Sequence, residues 1–208
     1  MNRPTIILGL GNPLMGDDGA GLAALEALRR GYDFGPGVEL EDGGALGLEL
    51  LPIVEDAGSL LVLDAVRFGG RPGTTVVREG DEIPRCFSLK LSPHQTGFRE
   101  TLALAGLRGK LPPRFALVGV EVAGAEYAQP LSLDVQCALP TMVAAAVARL
   151  KLWGCSVRRV EAPRGLNQPA AHQNANLPLM TISGGLRDYT PQLAGEQRQI
   201  QRTEQITN

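Results

Sequence analysis

The stretch that decides the fold is Thr5-Ile6-Ile7-Leu8-Gly9-Leu10-Gly11-Asn12-Pro13-Leu14-Met15-Gly16-Asp17-Asp18-Gly19. Its apolar start predicts a strand over Thr5–Leu10. A glycine-rich loop then interrupts the run, and Leu22, Leu25 and Leu28 give residues 19–30 the one-sided apolar spacing of a helix. Strand, tight loop and helix in this order open a βαβ unit.

The same alternation continues outward. Residues 38–40 predict a short strand, and Asp42-Gly43-Gly44 a loop leading to a helix over about 46–54. Residues 60–63 are fully apolar and predict a central strand ending at Asp64. Residues 74–78 alternate like a more exposed strand. Ser92-Pro93 has the form of an N-cap followed by proline at the first helical position, opening a helix to about Leu107. A strand over 115–122, an Ala-rich helix over 140–152 and a weak strand over 157–160 complete the pattern. The expected architecture is α/β, with three layers: a mostly parallel twisted sheet and helices on both faces.

Composition breaks near residue 160. Seven of the ten glutamines follow it, with scattered Pro, Gly and Asn and no sustained apolar period. The expected division is a domain over 1–160 and a polar, Gln-rich tail over 161–208, flexible or laid on the surface. With 208 residues, one main domain is expected. Twenty basic against 22 acidic residues leave a net charge of -2, which disfavours nucleic acid or an anionic membrane as partner. No run of about 18 apolar residues suggests a membrane span. Cys86, Cys137 and Cys155 are widely spaced and lack a CxxC pair, which fits a reducing, cytoplasmic setting. Nothing in the pattern suggests more than a monomer.

Ligands of open parallel sheets bind beyond the carboxyl ends of the strands. Asp17 and Asp18 follow the first predicted strand, Asp42 the second and Asp64 the third, and the loop after the fourth supplies His94. A histidine with two or three carboxylates suits a divalent metal such as zinc or nickel. Asp64 carries the most weight, because a carboxylate on an apolar strand is costly to bury unless paired or metal-bound. One of Asp17 and Asp18 reads as an N-cap or first-turn acid, and Asp42 reads equally well as a turn former.

Other constellations are missing. There is no GxSxG elbow, and His94 and His172 are the only histidines, the second in the polar tail. Cys86 reads as a packed or exposed thiol, Cys137 and Cys155 as structural. Gly9-Leu10-Gly11 lacks the third glycine of a dinucleotide fingerprint, since Leu14 stands there, and Asp17-Asp18 would repel a pyrophosphate.

Taken together, the glycine loop with Asp17-Asp18, Asp42-Gly43-Gly44, Leu63-Asp64-Ala65 and Ser92-Pro93-His94-Gln95 resemble, in this order, the nickel-iron hydrogenase maturation endopeptidases over residues 5 to about 152. The resemblance implies a phosphorylase/hydrolase-like α/β fold. It also implies a cytoplasmic peptidase, aspartic-type or metal-dependent, that removes the C-terminal extension of the hydrogenase large-subunit precursor after nickel insertion. By the same resemblance Asp18, Asp64 and His94 are the metal ligands, and Asp42, Gly43 and Gly44 recognise substrate. The family often has glutamate where this chain has Asp18, which leaves Asp17 as an alternative ligand. The expected metal is nickel brought by the precursor, with zinc or another divalent ion in the free enzyme as the alternative. Two other readings stand beside this one: a non-catalytic nickel-checking module, and a hydrolase similar to peptidyl-tRNA hydrolases, which share the Gly9-Leu10-Gly11-Asn12-Pro13 opening. The latter need an early histidine, and none precedes His94.

Overall fold

Every residue of Thr5–Leu10, strand β1, is buried. The structure is a computed structural model and describes residues 3–83 and 93–160, the side chains of residues 81 and 93–96 excepted. After β1 come a 3-10 turn at Gly16–Gly19, helix α1 (Ala20–Gly31) and strands β2 (Tyr32–Phe34) and β3 (Val38–Gly44). A 3-10 turn at Leu48–Leu50 runs into α2 (Leu51–Asp56), followed by β4 (Ser59–Val66), β5 (Thr75–Glu79) and α3 (Pro93–Leu107). Strand β6 (Arg114–Glu121), helix α4 (Leu133–Leu152) and strand β7 (Val157–Arg159) complete the described elements.

The main sheet has the order β3-β1-β4-β6-β5. Its first four strands are parallel, and β5 pairs antiparallel with β6. The chain leaves β1 for β3 on one side and returns past β1 to β4 on the other. The β1–β4 boundary is therefore the switch point, where ligands of such sheets bind.

Strand alternation divides the core into two layers. Ile7, Leu61, Leu63, Ala65, Val118 and Val120 pack with Ala24 and Leu28 of α1 and Met142 and Ala146 of α4. Ile6, Leu8, Leu10, Leu60, Val62 and Leu117 pack with Val54 of α2 and Phe98, Leu102 and Ala105 of α3. Each fully buried Leu or Ile of these layers contributes on the order of 2 kcal/mol. The expected three-layer α/β architecture is the one found.

Several element bounds differ from expectation, each for an identifiable reason. Asp42, Gly43 and Gly44 end strand β3 instead of forming a loop, because pairing with β1 continues to Leu10 opposite Gly44 across a register shift after Gly9. Strand β4 runs two residues beyond Asp64, held by β6 through Val66 opposite Glu121. Helix α4 begins at Leu133, with Ser132 as its N-cap and Pro140 inside it. Proline there withholds the donor to the Gln136 carbonyl and crowds it with its ring, and Gln136 is exposed, on the solvent side of the helix. Helix α4 is also, by length and composition alone, long and apolar enough to cross a membrane, contrary to expectation. Its buried face, from Val135 to Leu150, packs in the first core layer. Strand β2 was not expected; it exists by pairing with β7, more than 120 residues later. The described residues belong to one unit, Met1–Arg164. The tail predicted over 161–208, with His172, and the loop holding Cys86 lie outside the described residues.

Candidate metal and peptidase site

The switch point is built by close backbone approach. A Cβ on Gly21 would lie 2.2 Å from the Leu63 carbonyl oxygen and 2.3 Å from that of Leu10. Only glycine lets the start of α1 wedge between the ends of β1 and β4. Gly11 has φ 123°, and a Cβ there would meet the Asp18 carbonyl oxygen at 1.9 Å. These two glycines fold the β1–α1 loop tightly over the sheet edge and bring its acidic turn to β4.

Asp18 lies in that turn and is fully buried, and its Oδ2 accepts the Asn12 N–H at 2.9 Å. Asn12 in turn shapes the loop, with Oδ1 accepting from Leu14 N–H at 3.0 Å. Asp64 is also fully buried, and its Oδ1 accepts the Ala65 N–H at 2.8 Å. By strand alternation Asp64 shares the parity of Leu60 and Val62, the residues facing α2 and α3. Helix α3 is the element whose first turn contains His94.

Two contacts fix α3 at this edge. A Cβ on Gly97 would lie 2.7 Å from the Gly47 Cα, so helix and β3–α2 loop touch backbone to backbone. The Thr101 hydroxyl lies 2.9 Å from the Gly47 carbonyl oxygen and 3.0 Å from that of Gly97, and is placed to donate to either. His94 is thus in a helical turn anchored just beyond Asp42-Gly43-Gly44, while its side chain lies outside the described residues. Asp42 itself is exposed and Gly43 buried, and the Gly44 carbonyl accepts the Gly11 N–H at 2.9 Å.

Of the three expected ligands, the described side chains are those of Asp18 and Asp64, one from each side of the switch point. Among the described residues no group of three His, Cys, Asp or Glu side chains is placed to hold a metal ion. Both carboxylates are hard oxygen donors of the kind a divalent cation takes. Asp17, the alternative ligand, instead turns its carboxylate Oδ1 to the Ser132 N–H at 2.6 Å.

One carboxylate at this edge was not anticipated. Glu121, at the end of β6, is buried and collects the N–H groups of Phe68, Gly69 and Gly70 at 2.9 to 3.1 Å. It closes the loop after β4, and the Gly69-Gly70 pair was its only sequence signal. Beside the acidic turn lies a cavity of about 530 Å³, lined by Gly16, Asp17 and the segment after β6.

Comparison with known proteins agrees with this architecture. Residues 22–149 match the hydrogenase maturation protease family. The chain is 38% identical over 154 residues to the hydrogenase expression/formation protein HupD of Rhizobium leguminosarum bv. viciae, covering 73% of this chain and 76% of that protein. It is 37% identical over 116 residues to the hydrogenase 2 maturation protease of Escherichia coli, covering 55% and 71%. Its fold superposes on the hydrogenase maturating endopeptidase HybD of E. coli with a TM-score of 0.72 at 30% identity, over 75% of this chain and 97% of HybD. The sheet, its acidic edge and these likenesses converge: the chain belongs to the hydrogenase maturation protease family.

Proposed function

We propose that this protein removes the C-terminal extension of a nickel-iron hydrogenase large-subunit precursor once nickel has been inserted, and that the inserted nickel is what it recognises. The observation that carries this reading is the pair of fully buried carboxylates, Asp18 and Asp64, at the β1–β4 switch point. Each of the two acids is fully buried, and burying a carboxylate is costly unless it is paired or serves a cation. Asp18, Asp64 and His94 supply part of a coordination sphere, and the ligands already around the precursor's nickel complete it. Only a metal-loaded precursor then presents its extension in register with the site. Asp42, Gly43 and Gly44, at the neighbouring end of β3, contact the substrate beside the metal.

Hydrolysis adds water across one peptide bond, and the new carboxyl group stays on the large subunit while the amine leaves with the extension. A divalent metal resident in the free enzyme, zinc being one choice, would be held by the same three residues and would polarise the scissile carbonyl and acidify a water. Asp18 and Asp64 are both fully buried, and the loop from Gly11 to Asp18 orients the Asp18 carboxylate through the Asn12 N–H. The spacing of the cysteines supports the cytoplasm as the setting, with the protein acting as a monomer on its precursor and residues 161–208 dispensable for cleavage.

The test is to incubate the protein with apo precursor and nickel-loaded precursor side by side. Cleavage of the loaded form alone is the expected result, and equal cleavage of both would remove nickel as the recognition element.

A further inference from the structure

Asp17 neighbours the expected ligand Asp18 but faces another element. Its Oδ1 accepts the N–H of Ser132 at 2.6 Å, across 115 residues of chain. Ser132 is the N-cap of α4, its own Oγ accepting from Val135 N–H at 3.4 Å. A second tie joins the same two segments, the Ala128 N–H donating to the Leu14 carbonyl at 2.8 Å. Gly16 completes the contact, since a Cβ there would stand 3.2 Å from the Glu126 carbonyl oxygen. The segment over 124–132 is therefore laid along the loop that carries Asp18, and the cavity of about 530 Å³ lies where the two meet.

We propose that Asp17 is a positioning residue that clamps this segment to the Asp18 loop, and that the cavity so shaped receives the stretch of precursor peptide next to the scissile bond. The proposal rests on the peptidase reading given above. Three features of the cavity commit it to a peptide. Its lining includes Gly16 and Asp17, the two residues that lead into Asp18 in the acidic turn. Its volume is in the range that holds a short peptide or a ligand of similar size. Its walls join the apolar side chains of Pro130 and Leu131 to the acids Asp17 and Glu126, which suits main-chain N–H donors and apolar or basic side chains and repels an acidic segment. The carboxylate of Asp17 is held by a backbone N–H at the end of a long helix, so it is fixed before substrate arrives.

The experiment is steady-state cleavage of nickel-loaded precursor by the full chain, with thermal melting of each variant as control. Asp17→Ala removes the clamp and should raise KM by about tenfold or more while kcat stays within about threefold. Asp17→Asn keeps an oxygen for the Ser132 N–H and should recover most of that loss. Ala123→Phe narrows the cavity from an exposed position of its lining, leaves the clamp in place and should raise KM in the same way. It keeps the proposal testable where Asp17→Ala lowers folding yield. Wild-type KM in both Asp17→Ala and Ala123→Phe, or a fall in kcat at constant KM, overturns the proposal while the peptidase reading stands. Absence of cleavage by the wild-type chain overturns both.

Discussion

Gly21 stands so close to Leu63 that a single added methyl carbon would sit 2.2 Å from the Leu63 carbonyl oxygen. This contact sets the distance between α1 and the end of β4, and with it the placement of Asp18 relative to Asp64. Gly21→Ala should destabilise the fold by about 3 kcal/mol and lower Tm by roughly 10 °C. Activity at a temperature where the variant remains folded should fall as well, because the helix must withdraw from the strand. An unshifted Tm in a calorimetric scan would show that the edge is looser than this contact implies.

Thr101 offers a separable test of how α3 is held. Its hydroxyl is placed to donate to the Gly47 or the Gly97 carbonyl, and Thr101→Val removes that donor from the half-buried contact, leaving the Gly47 carbonyl with the Leu50 N–H, a loss of about 1 kcal/mol. Thr101→Ser retains the donor and should stay within about 0.5 kcal/mol of wild type plus the small cost of a lost methyl. Urea unfolding of the two variants checks the difference. Turnover should follow the same order, since the turn containing His94 is anchored at this point.

Much of this edge was legible in the sequence, and the reason differs from residue to residue. Asp64 stood out because it terminates an uninterrupted apolar run, and such a run is buried wherever it lies. The strand Thr5–Leu10 was readable in full, since its six residues satisfy both propensity and burial. What escaped depends on partners far along the chain. Strand β2 takes its form from β7, and the Gly47–Gly97 contact joins residues fifty positions apart. Helix α4 was read two turns short because Pro140 resembles a helix start, and the local pattern does not reveal that an exposed carbonyl pays little for the missing donor. Asp17 and Asp18 are adjacent acids of one turn, and only tertiary structure separates their hydrogen-bond partners, Ser132 for the first and Asn12 for the second.

Glu121 is a structural carboxylate on the functional edge. Glu121→Gln keeps one acceptor oxygen but sets an amide N–H₂ against the N–H groups of Phe68, Gly69 and Gly70. A loss of about 1 to 3 kcal/mol in denaturant unfolding is expected. Amide exchange should quicken at residues 68–70 and leave β1 unaffected; uniform change along the chain would argue for a global cause.

On the exposed face of α1, Arg30 and then Arg29 hold the Glu26 carboxyl below its ordinary value of 4.5. A lowered folded-state value means that the charged form stabilises the fold above the ordinary carboxyl range, and the benefit disappears as pH falls through it. Glu26→Gln should therefore melt slightly below wild type at neutral pH and match it at strongly acid pH, with high salt shrinking the neutral difference. A difference that grows on acidification would contradict the assignment.

In the proposed function the carboxylates at the switch point act with His94 on a nickel-loaded precursor. The most direct measurement is the intact mass of that precursor after incubation with wild type, Asp18→Asn, Asp64→Asn and His94→Ala. The predicted result is loss of one discrete C-terminal peptide with wild type and a rate lower by about a hundredfold or more in each variant, with each variant's fold retained. An unchanged precursor mass with wild type, or cleavage at the wild-type rate by Asp64→Asn, would contradict it.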